Sequence, residues 1–337
     1  MPFQPLNRRQ FNLGLGLSAL SLAGTSAHAA AQKVVIAESQ GFSWAIPYLV
    51  SSKNLWKNHG IEASTLPFTS GRLAFDAAVA GKAQFATSTD SVVGLAGANG
   101  VRSYIVAEFT RLSSGMVVVA RTDRGIHTPA QLKGKRIATT LGSSGHYFLS
   151  RYLSLHGLTL KDVTVVNLRG PDAVTAITQG GIDAFAWGWD AGQQAIEQSA
   201  GKVVQLPADG LERVFVSHYV LTANEEVVHK SPKLVEGAVR ALLDAEAFYR
   251  AQTDEAIALV AQRTKSTVET TREGLSNVKL GVRLDDRLID DLVLNGEWAV
   301  ESGLAQRPAQ DLRQLYRGLI YPDALRAAAA DRVTLSR

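Results

Sequence analysis

The stretch Leu141-Gly142-Ser143-Ser144-Gly145-His146-Tyr147 stands between an apolar run that reads as a strand and a periodic run that reads as a helix. Glycine lets the backbone turn tightly there, and hydroxyls and free amides gather at the positive end of the helix. That chemistry suits a sulfonate, a phosphate or a carboxylate. A serine at this place also caps a helix in any protein, so capping is the competing reading. A second loop, Gln40-Gly41-Phe42-Ser43, repeats the pattern and favours two loops facing each other across one cleft. Asp90 and Asp190 each precede a helix; a bare carboxylate would repel an anion, so capping is the preferred role for both. Trp187 and Trp189 fall at a strand end, where they are either core or an apolar wall of the cleft. Arg72, Arg111 and Arg169 stand beside predicted cleft loops, and Arg111, at a strand end, is the best placed to meet an anion. There is no G-x-S-x-G elbow, H-E-x-x-H, P-loop or pair of glycosidase-like carboxylates. Ser199 and Lys202 match S-x-x-K, a pattern too common to weigh. The seven histidines show no metal-ligand spacing, and the chain has no cysteine.

The elements that must hold these residues occur twice. Residues 70–90 overlie 170–190 at an offset of 100, with Gly81 on Gly181, Phe85 on Phe185 and Asp90 on Asp190. Upstream, Ile36, Gly41 and Ser43 overlie Ile137, Gly142 and Ser144 at an offset of 101. Each copy continues into an apolar-periodic helix that ends in His-Gly (His59-Gly60 and His156-Gly157). The shared order of strand, Gly/Ser loop, helix, strand, helix, glycine, strand and aspartate predicts two α/β lobes with a cleft between them. Strands are expected near residues 34–37, 61–68, 84–86, 103–109, 116–120 and 214–221, in largely parallel sheets. Helices are expected over 44–59, 71–80 and 91–98, and from Asn224 onward the chain reads as helical almost throughout. Crossings near 112–116 and 214–219 predict a hinge with a defined axis. The expected division is 30–112 plus 220–337 in one lobe and 113–219 in the other.

Residues 1–29 read differently. Arg8-Arg9-Gln10-Phe11, a short apolar run and Ala27-His28-Ala29 make a twin-arginine export signal cleaved near Ala29, too short to span a bilayer. Its removal takes two arginines and no acids, lowering the formal charge from +4 to +2. No basic stripe remains, so nucleic acid is not expected as a partner.

Several motifs recur in order: Thr69-Ser70-Gly71; Gly81, Phe85 and Ser88-Thr89-Asp90; the Gly142–Tyr147 loop; the strand from Asp162 to Leu168; Asp172-Ala173; Gly181-Ile182-Asp183-Ala184; and Trp189-Asp190. On these the chain resembles the sulfonate/nitrate/taurine family of periplasmic binding proteins that serve ABC importers, closest to its aliphatic sulfonate members. The resemblance implies the type-2 periplasmic binding fold, no cofactor, no catalysis and a monomer. It implies a small organic anion, most simply an alkyl or aryl sulfonate, passed in the periplasm to an inner-membrane permease and its ATPase. By the same likeness and the loop chemistry, the expected ligand contacts are Gln40, Ser43, Ser70, Ser88, Thr89, Arg111, Gly142, Ser143, Ser144, His146, Trp187 and Trp189. Two departures, Ala191 where the family often has proline and Arg169-Gly170 where it has Pro-Pro, leave the exact ligand open. Nitrate, taurine and a thiamine-precursor pyrimidine are the alternative ligands, and a cofactor-free lyase on the same fold is the alternative class.

Overall fold

The structure, a computed structural model, describes residues 31–276 and 278–336. The expected export signal lies outside them. The strands are β1 (Gln32–Glu38), β2 (Ile61–Pro67), β3 (Phe85–Thr89), β4 (Ser103–Leu112), β5 (Met116–Arg121) and β6 (Arg136–Thr139), followed by β7 (Thr164–Asn167), β8 (Ala184–Gly188), β9 (Val203–Gln205), β10 (Ser217–Asn224), β11 (Lys279–Asp285) and β12 (Val333–Thr334). The helices are α1 (Ala45–Ser52), α2 (Gly71–Val79), α3 (Asp90–Ala98), α4 (Ser144–Leu155), α5 (Gly170–Thr178) and α6 (Trp189–Gln198), then α7 (Glu225–Lys230), α8 (Pro232–Ala251), α9 (Thr253–Thr264), α10 (Val268–Ser276), α11 (Asp286–Glu301), α12 (Leu312–Arg317) and α13 (Asp323–Ala328).

Two sheets form. One runs β12-β11-β4-β10-β3-β1-β2 and the other β7-β6-β8-β5-β9. Read from β2 and from β7, the first five strands have the same layout: an outer strand, the first strand of the repeat, its third strand, a strand arriving from the opposite sheet, and the strand that leaves for it. The arriving strand runs antiparallel to its neighbours, β10 beside β3 and β4, β5 beside β8 and β9. The sheets are therefore mixed rather than largely parallel. The cause is the pair of crossings, β4 to β5 and β9 to β10, each of which delivers a strand into the middle of a sheet.

Phe85, Phe109 and Phe185 are fully buried and anchor the helices onto the sheets. Two local readings differ from the structure. The expected helix over 44–59 is cut at Asn54, which adopts φ 54°, a left-handed conformation that asparagine tolerates. Past Asn54 the chain makes only a short 3-10 turn from Leu55 to His59. The supposedly helical C-terminal half contains β11, which pairs with β4 and widens the first sheet. The His-Gly stops hold: Gly60 and Gly157 have φ 70° and 71° just past their helical segments.

Candidate functional site

A cavity of about 80 Å³ lies where the two sheets face each other. Four helices begin at its wall. Ser70 and Gly71 open α2, Thr89 precedes α3, Ser143 and Ser144 open α4, and Gly188 and Trp189 open α6. Two of these helices belong to each half of the repeat. The first amides of a helix have no intrahelical acceptor and carry its positive partial charge, so four such ends converging favour a compact anion.

The hydroxyls of this wall are partly used to build it. The Ser70 hydroxyl accepts from the Leu73 amide at 3.4 Å. The Ser143 hydroxyl accepts from the Gly145 amide at 3.2 Å and donates to the Thr140 carbonyl at 2.6 Å. Tyr219 is hydrogen-bonded to Ser43, and burial pushes its phenol up to about 12. Ser39 and Thr69 also line the cavity, although their hydroxyl oxygens are occluded from it and have no hydrogen-bond partner among the described residues. Aromatic surface supplies the apolar side: Phe42 and Trp189 are tilted at 6.4 Å, and Trp44 meets Tyr219 edge-on at 4.6 Å.

Of the expected contacts, Gln40, Ser43, Ser70, Thr89, Ser143, Ser144, Trp187 and Trp189 share this wall. Four do not line it. Ser88 is buried beneath α2 and donates to the Gly71 carbonyl at 3.3 Å. Gly142 turns the loop at φ 69°, donates its amide to His146 Nδ1 at 3.2 Å and accepts from Arg72 at 3.4 Å. His146 lies in the first turn of α4 with its ring 5.3 Å from that of Trp298, and burial holds its pKa down at about 4, so it braces the loop as a neutral imidazole. Arg111 is turned away from the cavity: its guanidinium bonds Glu108 at 2.8–2.9 Å and Asp285 at 2.8 Å.

The aspartates also depart from the capping role. Asp90 sits in the first turn of α3 rather than at its cap. Its carboxylate accepts from the His218 amide at 3.1 Å and from Asn295 at 2.8 Å. Burial pushes it up to about 6. Asp190 faces the cavity, accepts from the Ala191 amide at 2.9 Å, and is raised by burial. Arg72 lines the cavity but pairs with Asp76 at 2.8 Å, and Arg169 pairs with Asp172 at 2.7 Å on the surface. Sequence reasoning missed Ser39, Thr69, Trp44 and Tyr219, and it missed Gly274 and Val278, which the C-terminal half brings to the wall. Ser39, Trp44 and Thr69 carried a signal, lying directly beside the expected contacts Gln40, Ser43 and Ser70. Among the described residues no cluster of histidine and acid side chains is placed to hold a metal ion.

This arrangement, two similar α/β sheets with helix ends meeting at one cavity, is that of a solute-binding protein. The chain belongs to the NMT1/THI5-like family, whose pattern matches residues 42–256. A Brucella abortus protein described provisionally as a binding protein is 27% identical over 224 residues, 66% of this chain and 68% of that one. An Escherichia coli protein described provisionally as an aliphatic sulfonates-binding protein is 31% identical over 159 residues, 47% of this chain and 48% of that one. In fold, the chain is similar to the alkanesulfonate-binding protein SsuA from Xanthomonas axonopodis pv. citri bound to MOPS. That likeness has a TM-score of 0.73 at 19% identity, over 86% of this chain and 98% of that one.

Proposed function

We propose that this chain is an exported solute-binding protein that captures a small organic anion, most simply an alkyl or aryl sulfonate, and hands it to an inner-membrane ABC permease and its ATPase. One observation carries the reading. Four helix N-termini from both sheets meet at a cavity of about 80 Å³ where Arg72, the one cationic side chain of the described wall, is already held by Asp76. Recognition then falls to amides and hydroxyls, which suit a tetrahedral head with charge spread over several oxygens. Residues 30–112 with 220–337 form one lobe and 113–219 the other. A ligand touching both lobes favours their closure, and the two crossings supply the hinge. The work is affinity, not turnover, and the signal at residues 1–29 sends the protein to the periplasm.

The test is thermal unfolding of the full chain with ethanesulfonate, taurine, nitrate and a thiamine-precursor pyrimidine in turn. Ligand at 100 times its dissociation constant stabilises by about 2.7 kcal/mol, well within reach of a melting curve. A rise with ethanesulfonate is expected. Stabilisation by nitrate or the pyrimidine, with none from any sulfonate, overturns the ligand class.

A further inference from the structure

A second chamber of about 550 Å³ adjoins the cavity: Gln40, Gly41, Phe42, Thr69, Trp187 and Asp190 line both, so these six form a collar between the two spaces. The geometry points to a bipartite ligand: a sulfonate whose head sits in the inner cavity and whose tail, rich in hydrogen-bonding groups, passes the collar into the outer chamber. This rests on the reading of the inner cavity as an anion site and goes further by assigning the tail.

Size argues first. A buried water needs roughly 10–15 Å³ in this measure, so the inner cavity matches about six waters, a sulfonate head and a few carbons. Anything longer must leave it. The collar is passable because position 41 is glycine: it has φ 122°, and a Cβ there would come within 3.4 Å of Asp190 Oδ2. Thr69 lines both spaces.

Chemistry argues second. One side of the outer chamber is the outer face of α6, with Gln193, Gln194 and Gln198; the other is the turn from α9 into α10, with Lys265, Ser266 and, in the first turn of α10, Thr270. The three glutamine amides make no hydrogen bond among the described residues. Phe42, Pro171 and Trp187 can pack against the carbons of any tail, but an alkyl tail would strip water from these amides and hydroxyls without replacing its hydrogen bonds, whereas a polar tail replaces them. The chamber therefore selects for polar tails and against long alkyl ones.

Titration calorimetry of the full chain with ethanesulfonate, octanesulfonate and MOPS tests this, alongside the double variant Gln193→Ala with Gln194→Ala. Both changes lie on an exposed helix face where alanine is well tolerated. MOPS is expected to bind at least ten-fold tighter than ethanesulfonate and tighter than octanesulfonate. The double variant is expected to lose about five-fold or more for MOPS and nothing for ethanesulfonate. If ethanesulfonate binds but MOPS gains nothing, or octanesulfonate binds best, the polar-tail assignment is overturned while the anion site stands. If the variant weakens both ligands equally or neither, the outer chamber is not the tail site. If no sulfonate binds at all, the anion-site reading fails and takes the tail assignment with it.

Discussion

The Ser143 hydroxyl already accepts from one amide and donates to one carbonyl, while Ser144, its neighbour at the cavity wall, makes no side-chain bond among the described residues. The two serines should therefore fail differently. Ser143→Ala removes a cap and is expected to lower stability by ~1 kcal/mol. Ser144→Ala is expected to leave the melting temperature in place and to weaken an anionic ligand ten-fold or more, since a hydrogen bond to a charged group contributes ~1.5–3 kcal/mol. Melting curves and titrations on the two single variants separate these outcomes; equal losses of affinity with no loss of stability would contradict the division. Asp190 adds a pH dependence. Burial raises its pKa, and its charge opposes an anion in the same cavity. Binding of ethanesulfonate is expected to tighten as pH falls through that raised value. Asp190→Asn is expected to tighten it at neutral pH and to abolish the trend. The Gly-Ser loop was legible as a strand-to-helix turn from its residue types alone, although the sequence did not separate the serine that caps from the serine left free to face the cavity. Ser39 and Thr69 were legible only as neighbours of expected contacts, because nothing local marks which hydroxyls tertiary packing will bury.

At the level of elements, the duplicated segment was legible because it is an internal pattern that needs no partner to be seen. β11 was not, because Lys279–Asp285 sits among long periodic helices and becomes a strand by pairing with β4. That omission explains the misplacing of Arg111. β11 brings Asp285 to its guanidinium, and two carboxylates compensate its charge and hold it turned from the cavity. α10 is the other late arrival at the site. A Cβ on Gly274 would fall 2.4 Å from the Phe42 ring, so the helix can approach the cavity only because this residue is glycine. Gly274→Ala is expected to push Phe42 toward Trp189 and narrow the cavity. Overpacking costs ~1–3 kcal/mol, partly offset by alanine's better helix propensity of ~1 kcal/mol. A modest fall in melting temperature with a larger fall in ethanesulfonate affinity is the expected pair of results. Unchanged affinity would mean that α10 does not shape the site.

For the whole molecule, the second crossing is pinned by charge. Just after it, His218 is buried on β10 with Nδ1 2.9 Å from Glu108 of β4 and Nε2 2.8 Å from Asp291 of α11. The Asp291 carboxylate is held in turn by Arg287 at 2.6 Å. Burial pushes the imidazole pKa down, but the hydrogen bonds to Asp291 and Glu108 overcome it and carry the pKa up to about 9. Burial likewise opposes ionisation of Glu108 and Asp291, yet their bonds to His218 and the neighbouring arginines leave both lowered. These directions set the sign. A histidine raised above its unfolded value of 6.5 gives its full stabilisation below that value and loses it as pH rises toward 9, a change on the order of 3 kcal/mol. The lowered carboxylates act at the other end, stabilising above their unfolded values near 4 and losing that as pH falls further. Asp90, raised to about 6, opposes them, since its ionisation between pH 4 and 6 costs stability. Denaturant unfolding of the full chain is therefore expected to show stability declining steadily from pH 6.5 to 9. His218→Gln keeps a hydrogen-bonding side chain but cannot carry the charge, and it leaves two buried carboxylates facing a neutral group. It is expected to cost ~3–5 kcal/mol at pH 7 and to remove the decline. Should the variant keep the same slope, the proton lost in that range belongs to another group, and the crossing is held by packing alone.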